Sequence, residues 1–375
     1  MERVDVVVIG AGVMGSAATL ALAERGVQTL LLEQFELTHA RGSSHGTGRI
    51  FRISYPEAPY VRLTRRALGA WRSLEEAAGE PLVVTTGGLD AGPVAEDCAR
   101  ALEACGEAFE WLSPGDAEER YPAMSFDGFE RVLYQADAGV CLADRILAAM
   151  IRLARAAGAE VRDRTPVLAV RPDDGDEGVT VVTAEGDIRA RVAIVTAGAW
   201  AGEMLSNVGM PIALEPVLQH VSYYRGADRD APPPAVPTFI EWGLGAELSW
   251  YSLGAEGSAQ GVKVGAHVGG RPVDPRDGPF EVDPARVLDH QEYVRRRFPG
   301  LDPNAVLAET CLYTMTRDQD FVLDRQGPVV LGSPCSGHGF KFGMLIGEVL
   351  VDLALGQAAG LPAERFALGR AALRR

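Results

Sequence analysis

The start of the chain alternates between apolar runs and a glycine-rich turn. Residues 4–9 (VDVVVI) form an almost continuous apolar run, which the turn GAGVMG and the apolar segment SAATLALAERG follow. A second apolar run, VQTLLLEQ, comes next. Strand, turn, helix and strand in this order indicate one βαβ unit, so the sequence predicts the start of a parallel sheet.

Helix and strand patterns continue along the rest of the chain. Helix patterns cover residues 58–79, 143–158 and 286–300. The segment 167–200 has the pattern of a hairpin with an acidic turn that leads into a buried strand, and a strand, a glycine turn and a helix fill 328–357. Loops are predicted for the Gly-, Ser-, His- and Arg-rich segment 38–52 and the proline-rich segment 226–239.

Because the strand–turn–helix pattern returns at the C-terminal end, the nucleotide-binding part of the chain is predicted to be discontinuous. A length of 375 residues suggests two domains. We predict an α/β fold in which a Rossmann-like domain is interleaved with an α+β substrate domain built on a mixed antiparallel sheet. Residues 1–80, 141–215 and 320–375 are assigned to the first domain, and residues 81–140 and 216–319 to the second.

Composition and charge restrict the class of protein. Hydrophobic residues make up 47% of the chain and charged residues 23%, which is ordinary for a soluble globular enzyme. The net charge of −15 argues against binding to nucleic acid or to an anionic membrane. The chain starts directly in a strand and lacks an apolar run of about 18 residues, so neither a signal peptide nor a membrane span is expected.

The cysteines indicate free thiols. The five cysteines are an odd number and contain no C-x-x-C pair, so neither a disulfide framework nor a zinc site is expected. The same pattern fits a protein of the reducing cytoplasm. No other cluster has metal-ligand spacing, so no metal site is expected. Four of the cysteines are predicted to be small buried hydrophobes: Cys98, Cys105, Cys141 and Cys335.

The two lysines are a compositional exception. Among 36 lysines and arginines, only Lys263 in GVKVGAH and Lys341 in SGHGFKFG are lysine. An ammonium is a compact point charge whose pKa shifts readily on burial, unlike that of a guanidinium. Residues four apart in a strand share a face, so Lys263 and His267 are expected to point into one site.

The hexapeptide GAGVMG is a G-x-G-x-x-G motif between a strand and a helix. Such a turn lets a pyrophosphate approach the helix N-terminus. Glu33 ends the second strand, where a carboxylate accepts hydrogen bonds from both ribose hydroxyls. No second motif for NADPH is present, while VTAGAW (195–200) and SGHGFKFG (336–343) offer further dinucleotide contacts. The sequence therefore favours FAD over NAD.

These blocks together resemble one family, that of monomeric sarcosine oxidase and N-methyltryptophan oxidase, within the D-amino-acid-oxidase-like flavoproteins. The resemblance runs nearly end to end and is strongest in residues 4–73, 195–204, 261–267 and 309–356. It implies that the Rossmann-like domain binds FAD. It is specific for the family and much less so for the substrate.

The motif and the resemblance together give the expected cofactor contacts. Cys311, in CLYTMTRDQDFVLD, matches the covalent flavin cysteine of the family. We expect an 8α-S-cysteinyl bond to FAD, with Arg49 favouring the thiolate that must form first. The other expected FAD-binding residues are Gly10, Gly12, Val13, Met14, Gly15, Glu33, Gly42, Ser43, Ser44, Val167, Ala197, Gly198, Trp200, Gly337, Gly339 and Phe340.

The resemblance also implies roles at the substrate end. Arg52 and Lys341 are expected to hold a substrate carboxylate, for which a guanidinium offers two parallel donors. Tyr55 and Tyr251 are expected to line the same pocket, with Trp250 as the alternative to Tyr251. The expected catalytic residues are Lys263, Arg49, His45, His267 and Tyr313. Among these, Lys263 is assigned to activation of O2, and the arginine and the first histidine are expected to add positive charge.

The implied activity is oxidation of the C–N bond of a secondary amine or of an N-methyl or cyclic amino acid. A hydride equivalent would pass to flavin N5, leaving an imine, and O2 would be reduced to H2O2. Three alternatives stay open: a cyclic imino-acid (pipecolate-type) oxidase of secondary metabolism, an amine dehydrogenase with a carrier other than O2, and a flavoprotein without turnover. The expected partners are the small-molecule substrate and O2, and the chain is expected to act as a monomer.

Overall fold

The computed structural model describes residues 1–173, 178–228, 230–243, 249–267, 269–358, 360 and 363–373. Within these ranges the chain forms three β-sheets with helices packed against them, and both kinds of element are numbered along the chain. Residues 174–177 of the predicted acidic turn and residue 229 of the predicted proline-rich loop lie outside the described residues.

The first sheet carries the glycine motif. Its strands are β1 (Glu2–Ile9), β2 (Thr29–Leu32), β9 (Glu160–Arg162), β10 (Val167–Pro172), β11 (Val179–Thr183), β12 (Gly186–Val195), β19 (Val322–Gln326) and β20 (Val329–Ser333). The order β9–β2–β1–β12–β20 is parallel throughout, and β10, β11 and β19 add antiparallel pairs. β1 is paired on both sides and its second half is buried, which explains its apolar run. The predicted Rossmann-like arrangement is confirmed.

The second sheet is mixed and mostly antiparallel, as predicted. Its strands are β5 (Gly88–Ala91), β6 (Glu110–Leu112), β7 (Val132–Gln135), β13 (Glu215–Tyr224), β14 (Thr238–Glu241), β15 (Ser249–Leu253), β16 (Val262–His267), β17 (Arg271–Pro272) and β18 (Leu307–Met315). β14 pairs with β5 in parallel and the other pairs are antiparallel. β13 joins β16 to β18, so two segments rich in predicted site residues are held in one sheet.

A third, small sheet corrects one loop prediction. It consists of β3 (Gly48–Phe51), β4 (Val83–Thr85) and β8 (Gly139–Leu142), with β8 in the middle. The end of the predicted loop 38–52 is therefore a strand. Phe51 is fully buried in the main core, and a Cβ at Gly48 would lie 2.6 Å from Leu253 Cδ1. Close packing thus outweighs the loop-like composition here.

The predicted helices are present, and four shorter helices add to them within the described ranges. The helices are α1 (Val13–Glu24), α2 (Ala58–Ala78), α3 (Ala95–Ala104), α4 (Pro114–Arg120), α5 (Ala143–Ala156), α6 (Ala201–Ser206), α7 (Pro284–Arg297), α8 (Gly343–Ala354) and α9 (Ala363–Phe366). The predicted ones are α1, α2, α5, α7 and α8. Short 3-10 turns span Gly198–Trp200, Pro275–Asp277, Phe340–Phe342 and Ala371–Leu373. A Cβ at Gly347 would lie 2.5 Å from Ala17 Cβ, so α8 packs directly on α1. No helix in the described part of the chain is long and apolar enough to span a membrane.

The two large sheets come from different parts of the chain. The strands of the first sheet lie within 1–80, 141–215 and 320–375. Those of the second lie within 81–140 and 216–319, apart from the first residue of β13. The predicted domain boundaries are compatible with this distribution and stay a prediction.

Candidate active site

One cavity of about 710 Å³ is lined by residues of all three sheets. Every site residue predicted from the sequence lines it, except Gly15. In the order of the sequence, the glycine motif is the first of these lining segments and Lys341 is among the last. The fold therefore brings distant parts of the sequence to one place. No group of three or more His, Cys, Asp or Glu side chains within the described ranges could hold a metal ion.

The glycine motif forms the turn from β1 into α1. Gly10 has a φ of 99°, in the left-handed region, and a Cβ there would lie 2.7 Å from Thr196 O. Gly12 caps α1 without a side-chain hydrogen bond, and Ser44 Oγ accepts the Val13 amide at 3.1 Å. A glycine-capped helix N-terminus of this kind favours a bound anion.

Gly15 has a packing role at the start of α1. A Cβ at Gly15 would collide with Gly10 O and lie 2.6 Å from Thr196 Oγ1. The absent side chain lets α1 approach the ends of β1 and β12, which is the packing role of the third glycine in such motifs. Gly15 does not line the cavity, and its predicted contact with FAD stays a prediction.

Glu33 is an ordered, buried carboxylate just after β2. Its Oε2 accepts the Ala11 amide at 2.8 Å and its Oε1 accepts the Phe35 amide at 3.0 Å. His39 Nε2 lies 3.5 Å from Oε1, a neighbour that the sequence reasoning missed. Burial raises the pKa of Glu33, but the bonds from His39 and the two amides outweigh it and leave the pKa below its usual value.

Hydrogen bonds from side chains to backbone carbonyls hold the segment from Gly42 to Arg49 in place. Arg49 donates from Nη1 to Gly48 O at 2.8 Å, and from Nη2 to Ser43 O at 2.8 Å and His45 O at 2.6 Å. Ser43 Oγ donates to Leu312 O on β18. Arg49 thus stays in place without a carboxylate partner among the described residues.

His45 is neutral near pH 7. Its Nδ1 and Nε2 lie 3.1 Å from Gly42 O and from Thr310 O, respectively. Burial, and then the charges of Arg49 and Lys263, lower the pKa of His45 to about 4. The lowered pKa does not favour the positive charge expected of His45, and the catalytic role of this residue stays a prediction.

Lys263 lies on β16 and is 6% exposed. Its Nζ donates to Gly48 O at 3.4 Å and lies 5.7 Å from the centre of the Tyr223 ring. Burial, and then the nearby Arg49, lower the pKa of Lys263 to about 7. His267, four residues on, lines the same cavity as expected.

Arg52 and Lys341 flank the Tyr55 ring. The Arg52 guanidinium carbon lies 4.1 Å from the centre of the Tyr55 ring and 5.1 Å from that of Trp242. Lys341 Nζ donates to Tyr55 Oη at 3.0 Å and to His338 O at 2.9 Å. Burial, and then the charge of Arg52, hold the pKa of Lys341 well below its usual value.

Asp90 is a buried carboxylate that the sequence reasoning missed. Ser54 Oγ donates to its Oδ2 at 2.5 Å, and Trp242 Nε1 donates to its Oδ1 at 2.9 Å. Arg52 Nη1 in turn donates to Ser54 O. Burial raises the pKa of Asp90, although Arg52 opposes the shift. The carboxylate thus fixes Trp242, one of the two rings that enclose the Arg52 guanidinium.

Tyr251, Tyr313 and His267 form an aromatic group in the cavity. The rings of His267 and Tyr313 lie 5.7 Å apart. Gly337 has a φ of 78°, and a Cβ there would lie 2.5 Å from Tyr313 Cε2 and 2.7 Å from His267 Cε1. Burial raises the pKa of both tyrosines and lowers that of His267 to about 4, so these side chains are neutral.

Tyr251 is better placed than Trp250, the other candidate at this position. A Cβ at Gly265 would lie 2.6 Å from Tyr251 Oη, so glycine there makes room for the hydroxyl. The Trp250 ring instead stacks on Tyr293 of α7 at 4.4 Å. Both residues line the cavity, but only the tyrosine belongs to the aromatic group with Tyr313.

Two cysteines line the cavity, where one was expected. Cys311 lies on β18, and burial raises its pKa although Arg49 and Lys263 act in the opposite direction. The expected ready formation of a thiolate is therefore not favoured by the surrounding protein alone. Cys335 also lines the cavity, and its Sγ accepts the Thr314 amide at 3.2 Å. The buried role predicted for Cys98 and Cys141 is confirmed, and it is wrong for Cys105 and Cys335, which are partly exposed.

The remaining predicted cofactor residues lie on three segments that meet at the cavity. Val167 starts β10, Ala197–Trp200 follow β12, and Gly337–Phe340 precede α8. The Trp200 ring packs edge-on against Phe35 at 5.5 Å. His338, which the sequence reasoning passed over, lies within the last of these segments and lines the cavity.

Comparison with known proteins assigns the chain to a family. The sequence pattern that defines the DAO family, described as FAD dependent oxidoreductase, matches residues 5–353. The chain belongs to the DAO family of FAD-dependent oxidoreductases. The resemblance inferred from the sequence is thereby confirmed, and so is the fold class.

Two characterised relatives of this DAO-family protein are similar over nearly their full length. Monomeric sarcosine oxidase from Bacillus sp. (strain B-0618) is 32% identical over 99% of this chain and 97% of its own. Peroxisomal sarcosine oxidase from Mus musculus is 33% identical over 94% of this chain and 92% of its own. Among solved structures, the open form of NikD, an unusual amino acid oxidase essential for nikkomycin biosynthesis, has a TM-score of 0.87 and 26% identity over 98% of each chain.

The cavity suits the FAD of this family. Gly10 and Gly12 leave room where a Cβ would obstruct the turn, and Glu33 is anchored beside them. The cavity also holds two arginines and two lysines with no ion-pair partner among the described residues: Arg49, Arg52, Lys263 and Lys341. Buried cations without a counter-ion are unfavourable, so the binding of anionic groups stabilises this arrangement.

Proposed function

We propose that the chain is an FAD-dependent oxidase of a secondary amine, such as an N-methyl or cyclic amino acid. The observation that carries the proposal is the pair of buried cations, Arg52 and Lys341, that both contact Tyr55. Their partners in the described part of the chain are carbonyls, a hydroxyl and aromatic rings, which leaves both cations available to a substrate carboxylate. The sarcosine oxidases among the relatives support the amine as substrate.

When bound, FAD supplies the two-electron acceptor for C–N oxidation and the route by which O2 becomes H2O2. The chain itself anchors and orients the substrate. Arg52 and Lys341 would hold the carboxylate, and the neutral Tyr251, Tyr313 and His267 would enclose the rest of the molecule and exclude water. A neutral surrounding favours the uncharged amine, which is the form that can be oxidised.

Two further roles belong to the proposal. Lys263, with Arg49 beside it, stabilises the negative charge that develops on O2 when it takes its first electron. Cys311 would hold the flavin covalently, and the bound cofactor would have to supply the activation of the thiol that the surrounding protein does not provide. The free state of all five cysteines supports a reducing compartment such as the cytoplasm.

Trp242 favours a cyclic imino acid as the second candidate substrate. Its ring lines the cavity beside Arg52, and Asp90 holds it in place, so a flat or cyclic side chain has a surface to stack on. The similarity to NikD, an unusual amino acid oxidase, is compatible with such a substrate.

The test is a panel of N-methyl and cyclic amino acids, scored by anaerobic bleaching of the flavin absorbance. Bleaching by at least one carboxylate-bearing secondary amine, and loss of it in Arg52→Gln, are expected. Consumption of O2 with release of H2O2 separates an oxidase from a dehydrogenase that serves another carrier. Bound FAD that no amine reduces would contradict the proposal.

A further inference from the structure

A continuous series of hydrogen bonds runs from the inner end of the cavity through His338. Lys341 Nζ donates to Tyr55 Oη at 3.0 Å, and Tyr55 Oη lies 3.2 Å from His338 Nδ1. His338 Nε2 lies 3.1 Å from Gln319 O. Lys341 and Tyr55 are buried, His338 is half-buried and Gln319 is exposed. The series therefore connects the interior of the cavity to its exposed edge, which Glu57 and residues 318–320 form.

The direction of these bonds is fixed by chemistry. The Gln319 carbonyl can only accept, so His338 carries its hydrogen on Nε2 and keeps a lone pair on Nδ1. Tyr55 must then donate its hydroxyl hydrogen to Nδ1, while its oxygen accepts from Lys341. Each group thus already points its hydrogen outward, from the buried lysine towards the exposed edge.

Oxidation of an amine needs such a path because the substrate arrives as an ammonium. The lining carboxylates are occupied: Asp318 binds Arg370, Asp320 and Glu57 bind Arg365, Glu203 binds Arg276, and Glu33 accepts backbone amides. His45 faces two carbonyls, and His267 makes no side-chain hydrogen bond to another described residue. A free carboxylate base is thus lacking among the described residues of the cavity.

We propose that Tyr55 and His338 carry the substrate's ammonium proton out of the cavity, an inference that rests on the proposed amine oxidation. The N–H bond of the substrate ammonium breaks and its proton binds Tyr55 Oη. The Tyr55 hydroxyl hydrogen moves to His338 Nδ1, and the imidazolium loses a proton to water at the exposed edge. Solvent exchange then restores the Nε2–H form of His338, and no electrons move in these steps.

The surroundings of His338 favour onward transfer of the proton. The charged and titratable groups that face it are Lys341, Arg52, His267, Tyr55 and Tyr60. Burial, and then the Lys341 charge, hold the pKa of His338 well below its usual value. The imidazolium is therefore short-lived, as a relay requires, and does not trap the proton.

The Gln319 carbonyl, which accepts from His338, lies in a loop that side-chain contacts hold in place. Gln319 has a φ of 60°, in the left-handed region that a non-glycine residue rarely adopts. The preceding residue, Asp318, accepts hydrogen bonds from Arg370 at both carboxylate oxygens, at 2.7 and 2.9 Å. These contacts hold the Gln319 carbonyl against His338 Nε2.

Two variants break the relay while keeping the shape of the pocket. His338→Gln can still accept from Tyr55 and donate to Gln319, but it cannot bind an extra proton. Tyr55→Phe removes the linking hydroxyl. Tyr60→Phe is the matched control, because its ring stacks on Tyr55 at 5.2 Å while its hydroxyl donates to Asp320 at 2.7 Å and lies outside the relay.

The readout is the rate of anaerobic flavin reduction as a function of pH, using an amine that bleaches the wild type. Below pH 8, His338→Gln and Tyr55→Phe are expected to slow reduction by about 100-fold, within the range of general acid–base effects. The rates should converge with that of the wild type near the solution pKa of the amine, about 10. Tyr60→Phe should keep the wild-type profile, and a carboxylate without an amine, tetrahydrofuran-2-carboxylate, should bind the wild type, His338→Gln and Tyr60→Phe alike.

The outcomes separate the two proposals. If no amine bleaches the wild type, the proposed function fails and the relay fails with it. If the wild type is bleached and both relay variants keep its rate and pH profile, the relay alone is overturned. A pH profile that moves only in His267→Gln would assign the proton to His267 and would also overturn the relay.

Discussion

Replacing Lys263 with methionine removes one positive charge from the cavity and changes little in volume. The ammonium is buried, and its nearest polar partner is Gly48 O at 3.4 Å, so solvent screens it weakly. A cation about 4 Å from the charge forming on O2 stabilises it by roughly 4 kcal/mol at an effective dielectric constant of about 20. Lys263→Met is therefore expected to slow flavin reoxidation by about a thousandfold.

The assay is stopped-flow measurement of the two half-reactions. The substrate carboxylate is assigned to other cations, so reduction of the flavin by the amine should change by less than about tenfold. Lys263→Arg serves as the charge-preserving control and should keep most of the reoxidation rate. Equal losses in both half-reactions of Lys263→Met would refute the assignment of this residue to O2.

The same reasoning predicts a dependence on pH. Burial lowers the pKa of Lys263 from 10.5 to about 7, so the ammonium predominates below that pH and is lost as the pH rises through it. An anionic cofactor nearby shifts the transition upward. Reoxidation of the wild type should thus decline at or above about pH 7, and that of Lys263→Arg should stay level over the same range. A flat wild-type profile up to pH 10 would contradict the role of a lowered pKa.

Three other outcomes are expected. Acid-precipitated wild type should stay yellow and Cys311→Ala should lose the colour; a colourless wild-type pellet would exclude the covalent bond. Gly337→Ala should lower the free energy of unfolding in urea by about 1–3 kcal/mol more than Gly209→Ala, because both have a positive φ but only the first adds a clash; equal losses would argue against close packing there. Glu33→Gln, measured in the Cys311→Ala background, should weaken FAD binding about tenfold or more; unchanged fluorescence titrations would remove Glu33 from the ribose site.

The nucleotide end of the site could be predicted because its determinants are local in sequence. Gly10, Gly12 and Glu33 lie within one βαβ unit, whose turn geometry follows from the residue types. The packing of the third glycine, Gly15, against Thr196 could not be predicted, since the motif alone does not distinguish such packing from contact with a ligand. Lys263 and Lys341 could be found because composition singled them out.

The missed residues depend on tertiary neighbours that no pattern in the sequence marks. Asp90 acquires its role from Trp242, which reaches it from a different strand. His338 lies inside a recognised glycine-rich segment, but its hydrogen-bond partners come from distant parts of the chain. The lowered pKa of His45 could not be predicted from the sequence either, because burial and neighbouring cations cause it.

The direct packing of α8 on α1 has a consequence for how the protein matures. β1 cannot complete its sheet until β12 and β20 exist, and the first turn of α1 is covered by α8 from the far end of the chain. A nascent chain therefore holds the whole glycine motif long before it holds a nucleotide pocket. We therefore expect FAD loading to follow release of α8 from the ribosome, and we expect deletion of α8 to abolish FAD retention while leaving every residue of the motif intact.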